Sequence, residues 1–269
     1  MSIRHQALQL LLLRDASEKA AAVRALPIDR ITADGDEEIA EPPGVPGRPD
    51  RPALVAPDQL RQRAVGTLEG RASLIHALVH IESNAVDLAL DLVWRFAGMP
   101  QRFYLDWLQV AREEALHFQL LEQHLQGMGF AYGAFAAHNG LWEMAERTRG
   151  DLLARLALVP RTLEARGLDA SPPIRNKLVS VGDQRGAAIL DIILRDEIGH
   201  VAVGNHWYRH LCRQRGLDHL ATYRALALRY RAPALRGPFN LQARRLAGFD
   251  EAELAALQDL AGGGPAPSS

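Results

Sequence analysis

The chain has 269 residues, of which 48% are hydrophobic and 23% are charged, an ordinary globular composition that suits one large domain or two small ones. Its formal net charge of -1 excludes an overall attraction to nucleic acid or to an anionic membrane. Arginines cluster between Arg209 and Arg245, which we interpret as a solvated surface, with a local basic patch as the alternative. Cys212 is the one cysteine, so an intramolecular disulfide and a cysteine-based metal site are excluded.

The localisation signals of the chain point to the cytoplasm. Residues 1–13 lack a basic leader, a long apolar core and a small-residue cleavage site. No stretch approaches the roughly 18 consecutive apolar residues of a membrane span. We therefore predict a cytoplasmic protein with no membrane partner, which agrees with its sparing use of cysteine.

The N-terminal region, residues 1–58, is predicted to be a helix followed by an arm. Leucine and alanine recur at helical spacing from Ile3 to Leu26, which predicts one amphipathic helix. Residues 34–58 are rich in proline, which removes backbone donors and fixes φ, so extended chain is expected there. We expect this arm to pack on the domain that follows it.

The core domain is predicted at residues 59–214, with four long helical patterns at 59–97, 101–127, 140–168 and 173–214. Glycine and proline mark the breaks at residues 98–100, 127–129 and 167–173. A C-terminal extension, residues 215–261, contains shorter helical patterns at 217–231 and 250–261. Residues 262–269 have the composition of a disordered tail. Strand signals are scarce, so the predicted class is all-α.

Two of the ten histidines have a glutamate three positions earlier, in the pairs Glu114/His117 and Glu197/His200. Alone, this is only a mild excess over chance. On a helix, however, residues i and i+3 share a face, and both faces here are otherwise apolar. The four side chains are therefore predicted to point into a core.

Glu82 and Glu164 each interrupt a further apolar helix face. The pattern repeats, because Glu82 precedes Glu114 by 32 residues and Glu164 precedes Glu197 by 33. Burying ionised carboxylates is costly unless a cation compensates them, and four carboxylates offset two divalent cations. A lone glutamate or a Glu-x-x-His pair on each of four helices is the ligand set of a di-metal carboxylate bundle. Such an oxygen-rich set with two imidazoles suits iron, manganese or a mixed pair better than structural zinc.

Other interpretations of these residues are also possible. The buried acids and histidines could be satisfied by arginines or by each other, without a metal. Glu113 could replace Glu114 as the partner of His117 if the helical register differs. His124 shares the face of His117, either as a core histidine or as a third imidazole ligand.

The remaining polar candidates have weaker signals. Asp191 and Asp196 could orient a ligand histidine, or they could be exposed or salt-bridged. The other histidines considered are expected to be packing, surface or helix-end residues: His76, His80, His206 and His210.

The six ligand positions resemble the ferritin-like superfamily over residues 75–205. More narrowly, residues 138–148 (HNGLWEMAERT) and 196–201 (DEIGHV) resemble a bacterial ferritin-like family catalogued as a domain of unknown function, over nearly the whole chain. The resemblance implies a ferritin-like four-helix bundle with a site for two metal ions, and it implies no reaction. Ribonucleotide reductase subunits that generate a radical have a tyrosine where this chain has Leu121, which argues against a tyrosyl radical of that type.

The leading functional hypothesis is an O2-activating oxidoreductase, in which two ferrous ions bind O2 and a small-molecule substrate is oxidised. It implies an electron-donor protein and is compatible with a homodimer. A second hypothesis is metal handling, as a ferroxidase, a storage protein or a peroxide-detoxifying protein. A third is a tRNA-modifying hydroxylase, which the near-neutral charge disfavours. The last is a scaffold that has lost its site.

Overall fold

The computed structural model describes residues 2–28 and 37–261. That part of the chain forms helices and contains no strand, only an isolated bridge between Leu54 and Ala137. The predicted all-α class is confirmed. None of the described helices is long and apolar enough to cross a membrane. The predicted disordered tail at 262–269 lies outside the described residues.

The helices are, in chain order, α1 (Ile3–Leu11), α2 (Ala16–Arg24), α3 (Leu68–Arg95), α4 (Gln101–Gly127), α5 (Gly140–Arg147), α6 (Leu152–Leu158), α7 (Ala165–Ser180), α8 (Gln184–Gln214), α9 (His219–Arg229), α10 (Leu241–Leu246) and α11 (Glu251–Ala261). A π-helical segment, Val159–Glu164, joins α6 to α7. The chain divides into two compact units. Unit 1 is Met1–Glu143 with Lys177–Ile189, and unit 2 is Met144–Asn176 with Leu190–Ser269.

In unit 1, α3 and α4 pack along each other, α1 packs on α3, and α2 packs on α4. The prediction of one N-terminal helix was wrong. The side chain of Asp15 accepts a hydrogen bond from the backbone N–H of Glu18 at 2.8 Å, which starts a second helix at Ala16. An N-terminal cap of this kind satisfies a donor that the first helical turn leaves open.

The helix predicted at 59–97 starts later than predicted, and the Pro-rich arm packs on the helices of unit 1. Residues 57–59 form a short 3-10 turn, and α3 begins only at Leu68, where Thr67 caps the N–H of Gly70 at 3.0 Å. In the arm, Gly47 donates its backbone N–H to Leu11 at 2.8 Å, and Arg48 donates to the Asn84 side chain at 2.9 Å. The arm thus contacts α1 and α3 within unit 1.

In unit 2, the pattern predicted as one helix over 140–168 is divided. Asp151 caps α6 through the N–H of Ala154 at 3.0 Å, and the π-helical segment follows. The break predicted at 167–173 was wrong, because α7 continues through Pro172 and Pro173. Pro172 cannot donate to the carbonyl of Leu168, and the side chain of Asn240 donates to that carbonyl instead, at 3.2 Å. The carbonyl of Leu168 therefore keeps a hydrogen-bond donor, and the helix can continue past Pro172.

The C-terminal helices pack against α7 and α8 around an apolar cluster that includes Leu168, Val201 and Phe249. Arg244 is buried beside this cluster and is held by Asp169, with an Nη2–Oδ2 distance of 2.5 Å. The short helix α10, which carries Arg244, was not predicted. The C-terminal extension is therefore an integral part of unit 2.

Candidate metal-binding residues

The three predicted ligands of unit 1 lie together. Glu82 on α3 and Glu114 and His117 on α4 are all buried, with potential ligand atoms within 4.8 Å of one another. Nδ1 of His117 lies 3.3 Å from Oε2 of Glu82 and 3.3 Å from Oε2 of Glu114. The packing of α3 along α4 brings Glu82 to the Glu-x-x-His pair, as the repeat predicted.

The charges of this group are strongly coupled. Burial and the adjacent Glu114 carboxylate raise the pKa of Glu82 well above its ordinary value. Burial alone would lower the pKa of His117, but the carboxylates of Glu114 and Glu82 raise it to about 11. The imidazolium is thus a cation beside these two buried acids, and it balances the charge of one of them while burial favours the neutral form of Glu82.

This donor set fits a divalent cation. Two carboxylates and one imidazole are ligands that iron and manganese accept, and a divalent ion would neutralise both acids while His117 binds in its neutral form. Oε2 of Glu82 is buried, and its contact with Nδ1 of His117 is long, at 3.3 Å. A buried carboxylate oxygen left in that state is costly, and a metal bond would remove the cost.

The ligands predicted in unit 2 lie on two neighbouring elements. Glu197 and His200 of α8 are buried, and Oε1 of Glu197 lies 3.9 Å from Nδ1 of His200. Glu164 is half-buried at the end of the π-helical segment. A Cβ placed on Gly167 would stand 3.8 Å from Cδ of Glu197, so that carboxylate faces the helix one turn after Glu164.

The π-helical segment positions Glu164. Gly204 of α8 lies so close to Pro160 that a Cβ on Gly204 would be 2.7 Å from Cβ of Pro160. Thr162 donates its hydroxyl to the carbonyl of Ala157 at 2.8 Å. Single π-turns inside α-helices are rare and occur frequently at functional sites. No signal in the sequence reading indicated this turn.

The structure of unit 1 distinguishes the alternatives for Glu113 and His124. Glu113 is half-buried and accepts a hydrogen bond from Gln109 at 2.7 Å, so Glu114 is the partner of His117. His124 pairs with Asp183, with 3.0 Å between Nε2 and Oδ2, and this makes it a core histidine.

The two aspartates considered as orienting groups each form an ion pair with an arginine. Exposed Asp191 is held by Arg175, with 2.9 Å between Oδ1 and Nε. Asp196 is 2.8 Å from Nε of the adjacent Arg195. Both aspartates thus form the salt bridges that the sequence analysis gave as an alternative.

His76 and His80, which were predicted to be packing or surface residues, are buried and take part in a hydrogen-bond network. Nδ1 of His80 lies 2.8 Å from the hydroxyl of Tyr132, and its Nε2 lies 3.0 Å from the carbonyl of His138. His76 accepts the backbone N–H of Gly133 at 2.9 Å. Burial lowers the pKa of both histidines to about 4, so they are neutral at physiological pH.

A second acidic cluster in unit 2 was also missed. Nε2 of His219 lies 2.8 Å from Oδ2 of Asp250 and 3.6 Å from Oε1 of Glu253. Arg209 lies 2.5 Å from Glu253, and Arg161 donates to the same carboxylate. Because arginines already neutralise these acids, the cluster is an ion-pair network rather than a metal site.

Comparison with known proteins places the chain in a family. A family model described as "Protein of unknown function (DUF455)" matches residues 12–255. An "Uncharacterized protein" of Haemophilus influenzae is 48% identical over 224 residues, which are 81% of this chain and 78% of that one. No solved structure matches the chain. Because the family model covers nearly the whole sequence, as the resemblance implied, the chain belongs to the DUF455 family.

Proposed function

We propose that this chain binds two metal ions, one with Glu82, Glu114 and His117 and one with Glu164, Glu197 and His200. Iron is the leading candidate, and manganese or a mixed pair is the alternative. The proposal is carried by the buried group of unit 1, where one imidazole lies 3.3 Å from each of two carboxylates. The ferritin-like fold is part of the proposal and rests on the resemblance of the six ligand positions.

The proposed activity is that of an O2-activating oxidoreductase with a small-molecule substrate. When bound, a ferrous pair supplies the electrons and open coordination positions that O2 chemistry requires. The protein supplies negative charge through the glutamates, fixes the imidazoles and excludes water by burial. Trp107 and Phe118, which lie on α4 with Glu114 and His117, are both 1% exposed, so this helix carries its ligands in an apolar core. Electrostatic interactions are stronger in such surroundings than in water.

The test is O2 uptake after anaerobic loading with ferrous iron. Glu114→Gln is expected to lose metal and O2 uptake while remaining folded by circular dichroism. Glu113→Gln is the matched control, since its side chain is half-buried and is bound to Gln109. If the wild-type chain binds iron but consumes no O2, the proposed oxidoreductase activity is wrong.

Metal content and oligomeric size separate this proposal from metal handling. About two ions per chain supports the proposal, whereas iron far in excess of two ions, or a large cage, supports storage. Electron paramagnetic resonance of the manganese-loaded chain then shows whether the two ions are magnetically coupled, as the ferritin-like resemblance implies. A chain that binds no metal under any loading condition would be a scaffold without a site.

A further inference from the structure

Unit 2 contains a cavity of ≈ 270 Å³ beside the π-helical segment, α9 and α11. Most of its lining is apolar or aromatic and includes Leu220, Tyr223, Leu235, Phe249, Ala256 and Leu257. Its charged lining residues are three arginines and one glutamate: Arg161, Arg224, Arg244 and Glu253. The cavity thus combines an apolar interior with an excess of positive charge.

Arg161 is the unusual residue of this cavity, because its side chain is only 3% exposed. Its Nε donates to Oδ1 of Asn205 at 2.8 Å, and its Nη2 donates to Glu253. Its Nη1 is buried and has no hydrogen-bond partner among the described residues. A buried guanidinium N–H that lacks an acceptor is costly, which indicates that an acceptor is missing from the protein itself.

Aromatic rings hold the guanidinium of Arg161 in place. Its Cζ lies 4.8 Å from the ring centroid of Tyr208, 5.0 Å from that of Tyr223 and 5.2 Å from that of Phe249. Cation–π contacts of this kind stabilise a desolvated arginine and fix its direction. The donor is therefore preorganised, and an incoming acceptor would lose little free energy in ordering it.

The acidic residues near the cavity already form ion pairs with arginines. Glu253 is held by Arg209 at 2.5 Å as well as by Arg161, and Arg244 is neutralised by Asp169. Arg224 is exposed and adds a further positive charge. The chemistry of the cavity favours an anion attached to an apolar body.

We propose that this cavity binds a small apolar molecule that ends in a carboxylate, and that Nη1 of Arg161 donates a hydrogen bond to that carboxylate. An apolar cavity of about 150 Å³ binds benzene in an engineered protein, so this larger volume has room for on the order of ten non-hydrogen atoms. Octanoate has that size and is the probe of choice. The proposal does not depend on the metal ions, because none of the lining residues is a proposed metal ligand.

Three probes of equal length test the inference on the full, metal-free chain. Octanoate, octanol and octylamine are titrated by calorimetry, and carboxyl-labelled octanoate is followed by NMR. A charge-assisted hydrogen bond predicts that octanoate binds roughly tenfold or more tightly than octanol and that octylamine does not bind. Equal affinity for octanoate and octanol, or no binding of octanoate, would overturn the proposal.

Three variants, one of them a control, locate the site. Ala256→Phe on α11 should fill the cavity and abolish binding of all probes, whereas Ala255→Phe, at an exposed position of the same helix, should not. Arg161→Met should remove the preference for octanoate over octanol but keep octanol binding. Octanoate binding that survives Ala256→Phe in a folded protein would place the ligand elsewhere and contradict the inference. Because metal is absent throughout, failure of the metal proposal would not affect the outcome.

Discussion

Nδ1 of His117 lies 3.3 Å from Oε2 of Glu82 and the same distance from Oε2 of Glu114, in a position where all three side chains are buried. One imidazole thus stands between two carboxylates on adjacent helices. In the metal-free chain its proton provides the positive charge that these acids require. A metal ion bound by the same atoms has to displace that proton.

Metal binding is therefore expected to release protons and to strengthen with pH. The carboxylates hold the pKa of His117 at about 11, so the imidazole is protonated at pH 6 and at pH 8. The proton released from His117 corresponds to roughly a tenfold gain in affinity per pH unit, and the raised pKa of Glu82 acts in the same direction. Cobalt titrations at several pH values, with calorimetry in buffers of different ionisation enthalpy, measure both quantities. An affinity independent of pH in this range would contradict the proposed role of His117.

The contact between Gly204 and Pro160 predicts opposite effects of two similar substitutions in α8. Gly204→Ala would place a Cβ 2.7 Å from Cβ of Pro160 and should destabilise the protein, because the π-helical segment has to shift. Gly199→Ala meets no atom within 4 Å and should stabilise the helix by up to about 1 kcal/mol. Urea unfolding of both variants measures the difference. Equal stabilities would show that the close approach does not constrain the segment.

The network of His80 predicts a loss of stability in mild acid. Burial lowers the pKa of His80 to about 4, below its ordinary value of 6.5, so only the unfolded chain takes up a proton between these values. The free energy of unfolding should therefore fall as the pH falls from about 6.5 towards 4. His80→Gln should make this dependence shallower, and the exposed His206→Gln should not. Denaturant midpoints at pH 7 and pH 4.5 test the prediction.

The extent of sequence prediction is clearest in α3 and α4. The apolar stripes around Glu82 and Glu114 repeat with helical period, and this period alone predicts that both glutamates face the core, as they do. The spacing also predicted that His117 shares their face. Local periodicity was sufficient here because both helices are long and the buried positions of α4 and of the first half of α3 recur at helical spacing.

Other features depend on contacts between residues far apart in the chain, which periodicity does not encode. Pro172 predicts a break, but the distant side chain of Asn240 satisfies the carbonyl of Leu168 and α7 continues. The environment of Arg161 is equally non-local, because its partners Asn205 and Glu253 belong to α8 and α11. The cavity could not be predicted for the same reason.

The buried ion pair between Lys19 of α2 and Asp87 of α3 carries a last prediction. Nζ of Lys19 lies 2.5 Å from Oδ1 of Asp87 and donates to the carbonyl of Gly47 at 3.0 Å, and both charged side chains are 5% exposed. Lys19→Met leaves the carboxylate buried without its cation and should cost about 3–5 kcal/mol.

The double variant Lys19→Met with Asp87→Leu removes both charges and should recover most of that loss, because the desolvation of the carboxylate disappears. Arg14→Met is the matched control, since the Arg14–Asp50 pair has side chains that are 68% and 92% exposed and should contribute little. Urea unfolding of the wild type and of these three variants measures the differences in the free energy of unfolding. A double variant as unstable as Lys19→Met would show that packing of the lysine stem, rather than the charge on Asp87, accounts for the loss.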